Sequence, residues 1–116
     1  MERVTVIVDR PMGSYHPEHP DLYYPICYGY VPGVMAGDGE EQDAYLLGLD
    51  GPVTQFTGEL IAVIHRLDDR EDKWVVAPAG MRFTREEIRQ MTDFQEQYFH
   101  SEIILLQYTG DKRRLL

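Results

Sequence analysis

Four carboxylates stand within six residues of the segment AGDGEEQDAYLLG, residues 36–48. They belong to Asp38, Glu40, Glu41 and Asp43. Carboxylates this close repel one another, so the cluster is either a solvated turn or a site that awaits a cation. Asp38, Glu40 and Asp43 are two and three residues apart, and positions two apart in an extended chain share one side. Hard cations such as Mg²⁺ prefer oxygen ligands of this kind, together with waters and phosphates.

A second acidic group lies in HRLDDREDK, residues 65–73. Its carboxylates are those of Asp68, Asp69, Glu71 and Asp72, and Lys73 follows them. Alone, this segment indicates a solvated hairpin. If the fold brings both acidic groups together, only bound cations would relieve their repulsion, and two such groups are what a two-metal site for phosphoryl chemistry requires. The groups would then lie within about 10 Å, because paired metals are about 4 Å apart.

Other familiar sites find little support in the chain. His16 and His19 have a metal-binding spacing, but the prolines of HPEHP exclude the helix on which that spacing is diagnostic. The sequence contains no P-loop, GxSxG, HExxH or CxxC motif. Cys27 is the single cysteine, so no intrachain disulfide can form, and we interpret it as a small buried hydrophobe.

Composition predicts one compact globular domain, residues 1–116, with 43% hydrophobic and 27% charged residues. The formal net charge of -9 would repel nucleic acid and anionic membranes, so neither is expected as a partner. The basic cluster Lys112, Arg113 and Arg114 is interpreted as a solvated end. The N-terminus lacks the apolar core of a signal peptide, and no apolar run approaches the roughly 20 residues of a membrane span. We therefore expect a cytoplasmic protein.

About five strands are predicted in the first two-thirds of the chain. The segments are VTVIVD, a short strand near residues 28–31, AYLLGL, GPVTQFTGELIAVIHRL and KWVVAP. Residues 11–33 carry five prolines and five tyrosines, which predicts an ordered, turn-rich loop anchored by aromatic rings. This spacing of strands suits a small barrel or curled sheet.

A helix is predicted within TREEIRQMTDFQEQYF, residues 84–99. Thr84 and Glu87 form a capping box at its start. The side chains spaced for one apolar face are Ile88, Met91, Phe94 or Gln95, and Tyr98. The segment EIILLQY, residues 102–108, is either a final strand or a packed extension of the helix.

Four segments in order, YPICYGYVPG, DGEEQDAYLLG, HRLDDREDKWVVAP and FQEQYF, together resemble the family I soluble inorganic pyrophosphatases over about residues 4–99. In that family an aromatic-Pro-x-x-Tyr-Gly segment leads into a D-x-D-x-x-D motif, and an acidic pair then precedes a lysine and an apolar strand. The resemblance implies an α+β, mainly β fold: a five-stranded OB-like barrel with a packed C-terminal helix. It also implies hydrolysis of a small diphosphate, dependent on Mg²⁺ or on Mn²⁺, by a homo-oligomer in which residues 102–108 are a candidate interface.

The resemblance also implies roles for particular residues. The implied metal ligands are Asp38, Asp43, Asp68 and either Glu71 or Asp72. The implied catalytic group is Glu40, which would orient the attacking water, with Asp43 and Tyr28. The implied substrate contacts are Lys73, Tyr28, Tyr98 and Asp9.

The sequence departs from the family pattern at several positions. The family's long hairpin, which carries a lysine, a glutamate and an arginine, has no room in residues 12–25. Glu40 replaces an aspartate and Phe99 a basic residue, while Cys27 replaces an asparagine. Arg10 or His16 could supply partial charge, although neither is a matched position. Losing two or three charge-assisted bonds, each about 1.5 to 3 kcal/mol, weakens substrate affinity by orders of magnitude.

Three functions are therefore compared. The leading hypothesis is a pyrophosphatase-like, metal-dependent phosphoanhydride hydrolase. A catalytically weak or inactive module would bind a divalent cation or an anionic ligand without turnover. A purely structural barrel with solvated acidic loops would show no metal-induced shift in melting temperature.

Overall fold

The protein forms a closed five-stranded barrel in a computed structural model that describes residues 2–68 and 71–106. The barrel strands are β1 (Arg3–Arg10), β2 (Cys27–Met35), β3 (Glu41–Leu46), β4 (Gln55–Arg66) and β5 (Asp72–Ala77). They pair in the order β1-β2-β3-β5-β4, and β4 closes the barrel by pairing with β1. These pairings are antiparallel except for the parallel pairing of β3 with β5.

Within the described residues up to 106, one helix and one further strand follow the barrel. They are α1 (Arg85–Glu96) and β6 (Ser101–Leu105), which pairs with β4. The predicted mainly β, OB-like barrel with a C-terminal helix is confirmed. Of the two readings of residues 102–108, the strand is correct as far as residue 105. No described helix is long and apolar enough to cross a membrane.

Two clusters of buried side chains lie on opposite faces of the barrel strands. One contains Val6, Cys27 and Leu46, and the other contains Tyr45 and Val75. Cys27 is fully buried, which confirms its interpretation as a small core residue. Successive residues of a strand point to opposite faces, so the neighbours Tyr45 and Leu46 belong to different clusters.

Helix α1 covers one side of the barrel with a shorter apolar face than predicted. The capping box of Thr84 and Glu87 is present, and Ile88 is fully buried in the cluster that contains Tyr45 and Val75. Met91 and Phe94 pack against the same core. The placement of Tyr98 on this face was wrong: the helix ends at Glu96, and Tyr98 lies beyond the end with 70% of its surface exposed.

A bulge interrupts β1 where the barrel opens. Val8 pairs with Gly29 and Arg10 with Tyr28, so Asp9 is the extra residue opposite β2. At Gly29 the two backbones approach so closely that a Cβ atom would collide with the carbonyl oxygen of Ile7. Glycine therefore permits the local bend that redirects the end of β1.

Candidate functional site

A cavity of about 810 Å³ lies at this end of the barrel. Five elements supply its main polar lining: β1, β2, β3, β5 and the segment after α1. The corresponding residues are Asp9 and Arg10, Tyr28, Asp43, Lys73, and Tyr98 with Phe99. The loop before β2 closes one side with His16, His19 and Tyr24. Five of the sequence-predicted site residues, Asp9, Tyr28, Asp43, Lys73 and Tyr98, thus line one cavity. The other five, Asp38, Glu40, Asp68, Glu71 and Asp72, are not among the lining residues.

Lys73 is the central cation of the site. The parallel register sets Ala44 beside Trp74, so Asp43 and Lys73 are neighbours one residue earlier. The Lys73 Nζ atom donates to Asp43 Oδ2 at 2.6 Å and lies 2.9 Å from Glu71 Oε1. Lys73 is only 4% exposed. Burial lowers its pKa, but Tyr28, Asp43 and Glu71 outweigh that effect and the pKa is raised, so Lys73 remains an ammonium ion.

Tyr28 places a protonated phenol beside this ion pair. Its ring packs 4.9 Å from that of Tyr45 and 5.8 Å from that of Tyr24, measured between centroids. Burial raises the pKa of Tyr28, and its hydroxyl has hydrogen-bonding contacts with Lys73 and Asp43. The phenol is therefore a neutral donor at any physiological pH.

The two acidic groups of the sequence meet at Glu71. Because Asp43 and Glu71 contact the same ammonium nitrogen, their carboxylate oxygens lie well within the roughly 10 Å that a shared metal site allows. The side chain of Asp38 also lies close to that of Glu71. The pKa of Asp38 is lowered, first because the Glu40 N–H donates to Asp38 Oδ1 at 3.0 Å.

The remaining predicted acids lie around this group rather than inside it. Asp72 precedes Lys73 on the strand and points to the opposite face, where its Oδ1 lies 2.6 Å from His65 Nδ1. Asp68 accepts a hydrogen bond from the His100 N–H at 3.0 Å. Glu40 is exposed in the turn that carries Asp38. Of the alternatives Glu71 and Asp72, it is Glu71 that approaches Asp43. Asp69 lies outside the described residues.

A buried polar network supports the cavity from the helix side. Arg66 donates through Nε and Nη2 to the two oxygens of Glu96, at 3.1 and 2.8 Å, and its Nη1 reaches Glu71 at 3.2 Å. The Tyr45 hydroxyl donates to Glu96 at 2.6 Å. The guanidinium carbon of Arg66 lies 3.6 Å from the ring centroid of Phe99. Phe99, where a basic residue was expected, therefore stacks on a cation supplied by β4.

Sequence reasoning missed Arg66 and Glu96 as members of the site. Arg66 ends a strand of apolar residues and Glu96 ends a helix, so each resembles a solvated terminal charge. One signal was available: Glu96 falls on the buried side of α1, four residues after Thr92 and eight after Ile88.

Comparison with solved structures finds the same fold in inorganic pyrophosphatases. The structure from Ehrlichia chaffeensis has a TM-score of 0.67 at 19% identity, covering 86% of this chain and 83% of that one. The one from Neisseria gonorrhoeae has a TM-score of 0.61 at 21% identity, covering 83% and 73%. The one from Helicobacter pylori has a TM-score of 0.60 at 16% identity, covering 97% and 86%. The chain shares their fold. No protein-family model matches the sequence, and no curated protein does.

The donor chemistry of the site suits a hard cation. Within residues 2–68 and 71–106, no three His, Cys, Asp or Glu side chains converge on a common point that could hold a metal ion. Asp38, Asp43 and Glu71 nevertheless supply carboxylate oxygens from three neighbouring segments: Asp43 and Glu71 contact the same ammonium, and Asp38 lies close to Glu71. The Lys73 ammonium occupies the position between Asp43 and Glu71. The carboxylates therefore fit a divalent cation in ligand type.

Proposed function

We propose that the protein hydrolyses inorganic pyrophosphate, or a closely related small diphosphate, with a divalent cation. The observation that carries this proposal is that Lys73, Tyr28 and Asp43 meet in the open cavity of a barrel shared with inorganic pyrophosphatases. A diphosphate carries high charge density, so its hydrolysis requires donors and cations aimed at the phosphate oxygens. An ammonium and a neutral phenol beside a carboxylate meet that requirement.

Asp38, Asp43 and Glu71 would hold Mg²⁺, or Mn²⁺ in its place. When bound, the cation neutralises phosphate charge and lowers the pKa of a coordinated water. We assign the metal role to Glu71 over Asp72, because Glu71 contacts Lys73 whereas Asp72 faces His65. The role of Asp68 as a further ligand stays a prediction.

The protein's own side chains have three tasks in this reaction. Lys73 keeps its proton and balances negative charge that develops on the phosphates. The Tyr28 hydroxyl donates to a phosphate oxygen, while Asp9 and Tyr98 border the same space. The role of Glu40 in orienting the attacking water stays a prediction, because Glu40 is exposed in the turn that carries Asp38 and is not among the residues that line the cavity.

A second candidate is an anion-binding module without turnover. It is favoured by the ion pairs of Lys73, which already neutralise Asp43 and Glu71 without a metal ion. Such a site is complete in its resting form, and an incoming anion would compete with these carboxylates for the ammonium.

Phosphate release from pyrophosphate, measured colorimetrically with Mg²⁺ or Mn²⁺, tests the two candidates. We expect metal-dependent release by the wild type and a loss of at least about 100-fold in D43N. D50N removes the same charge from an exposed loop and should stay within about twofold. Binding of a diphosphate without any release would favour the binding module. If the protein neither binds nor hydrolyses any small diphosphate, both candidates are overturned.

A further inference from the structure

Arg10 reaches the cavity because of the bulge in β1. In a regular strand, Asp9 and Arg10 would face opposite sides. Here both lie opposite Tyr28, and both line the cavity. Bulges of this kind re-aim side chains at the edges of functional sites.

The Arg10 guanidinium is poorly satisfied by its surroundings. Its Nε atom is buried and has no hydrogen-bond partner among the described residues. Its Nη1 atom lies 3.4 Å from the carbonyl oxygen of Asp9 and 3.7 Å from the Asp9 carboxylate. Charge-assisted bonds of guanidinium groups are normally about 2.7 to 2.9 Å long. Arg10 also has a side-chain contact with the Tyr24 hydroxyl.

The other cations of the cavity differ from Arg10 in this respect. Arg66 is held by both oxygens of Glu96, and Lys73 by Asp43 and Glu71. Both are almost fully buried and have their charges paired. A buried N–H without an acceptor is unfavourable, so a structure that keeps one at the wall of a cavity is suited to a ligand that supplies the acceptor.

The ligand that suits this group is a phosphate anion. A planar guanidinium offers parallel donors that match two oxygens of one phosphate group. The neighbouring carboxylate of Asp9 is half exposed, and solvent therefore screens its competition for the guanidinium. His16 borders the same space, and its pKa is lowered first by burial and then by the charge of Arg10, so the histidine does not compete with Arg10 for an anion as a second cation.

We infer that Arg10 is a phosphate-binding residue of this cavity and supplies, from the bulge of β1, the cationic contact that the short loop before β2 lacks. The inference rests on the proposed function, because it names a further contact to the diphosphate of the same site. Arg10 contacts the substrate directly and does not act through another residue.

Calorimetric titration with methylenediphosphonate and Mg²⁺ tests the inference without turnover, because the bridging carbon of this diphosphate analogue prevents hydrolysis. R10Q should weaken binding about 10- to 100-fold, the loss expected for one or two charge-assisted bonds. R10K keeps the charge but not the paired donors, and should weaken binding about threefold or more. R3Q removes an exposed arginine from the other end of β1 and should change affinity less than twofold.

The outcomes separate this inference from the proposed hydrolysis. Arginine-dependent binding of the analogue without phosphate release from pyrophosphate supports the role of Arg10 and overturns the hydrolysis. If the wild type releases phosphate and R10Q binds the analogue as tightly as the wild type, the hydrolysis is supported and the role of Arg10 is overturned. Failure of the wild type to bind the analogue overturns the role of Arg10. Circular dichroism checks that R10Q is folded, and if it is not, R10K alone decides: affinity equal to wild type contradicts the inference.

Discussion

At the scale of single residues, the site is defined by how far each charge is already paired. Lys73 combines a raised pKa with two carboxylate partners, so it contributes a permanent positive charge. Arg66 is paired even more completely and serves mainly to join the barrel to the helix. Arg10 lines the cavity and has one donor, Nε, without a hydrogen-bond partner among the described residues. Affinity for an added anion should therefore depend on Arg10 more than on Arg66.

His65 and Asp72 offer a direct check of the local electrostatics. The pKa of His65 is raised, chiefly by its hydrogen bond with Asp72, with a smaller contribution from Glu102. We expect a proton NMR titration to place the pKa of His65 above the ordinary value of about 6.5. D72N should bring it back toward that value, whereas E102Q should lower it only slightly.

The same shift sets the direction of a pH effect on stability. Since the pKa of His65 is higher in the folded than in the unfolded chain, the contact stabilises the protein fully below the unfolded pKa and is lost as pH rises through the folded one. D72N should therefore destabilise more at pH 5.5 than at pH 8 in urea unfolding. An equal loss at both pH values would contradict the assigned pair.

Sequence patterns located part of the site and missed the rest for identifiable reasons. Asp43, Tyr28 and Lys73 could be found because their motifs have fixed spacing and lie on regular strands. The sequence could not show whether Glu71 or Asp72 approaches Asp43, because a shift of one residue along a strand moves each side chain to the other face. The bulge that directs Arg10 inward depends on the approach of β1 to Gly29, which no local pattern reveals.

At the scale of elements, strands and helix were predictable because each has a clear period. β1, β4 and β5 match their apolar runs, and α1 begins at the predicted cap. β2 runs from Cys27 to Met35, beyond the predicted residues 28–31, because it pairs along this length with β3. β3 begins at Glu41, three residues before the predicted AYLLGL, because pairing with β2 recruits its polar start, and it ends at Leu46. The parallel pairing of β3 with β5, which joins the two acidic groups, is a tertiary feature and could not be predicted from either strand alone.

The attachment of α1 to the barrel gives an element-scale prediction. Glu96 is 7% exposed and pairs with Arg66, which is 5% exposed, while also accepting from Tyr45. E96Q leaves the buried guanidinium without its main counter-charge, which should lower the free energy of unfolding by about 3 kcal/mol. Urea denaturation monitored by circular dichroism measures this change.

D93N is the matched control for E96Q. Asp93 lies on the exposed side of the same helix, so its neutralisation should change the free energy of unfolding by less than about 0.5 kcal/mol. If E96Q and D93N have equal effects, the buried pair is not what fixes α1 against the barrel.

At the scale of the whole molecule, the predicted homo-oligomer stays a prediction. The described part of residues 102–108 supplies a suitable surface: β6 pairs with β4, and Ile104 and Leu106 remain exposed there. Residues 107 and 108 lie outside the described residues, as do Lys112, Arg113 and Arg114.

Because the net charge is -9, an experiment with added cations must separate binding at one site from general screening of the negative charge. Any salt will reduce repulsion among twenty acidic residues, whereas a bound Mg²⁺ ion adds stability by mass action. At ten times its Kd, a cation that binds only the folded state contributes about 1.4 kcal/mol, which corresponds to roughly 5 °C in Tm for a chain of this size.

We therefore expect MgCl₂ to raise the Tm by several degrees more than NaCl of equal ionic strength, as followed by circular dichroism. The excess should disappear in D43N and persist in D50N, because both variants lose one negative charge but only Asp43 belongs to the group that meets Glu71. Equal Tm shifts with both salts would show that the acidic turns are solvated loops without a cation site, because a purely structural barrel is stabilised only by screening of its charge. An excess that survives in D43N would instead place the cation away from Lys73 and its two carboxylates.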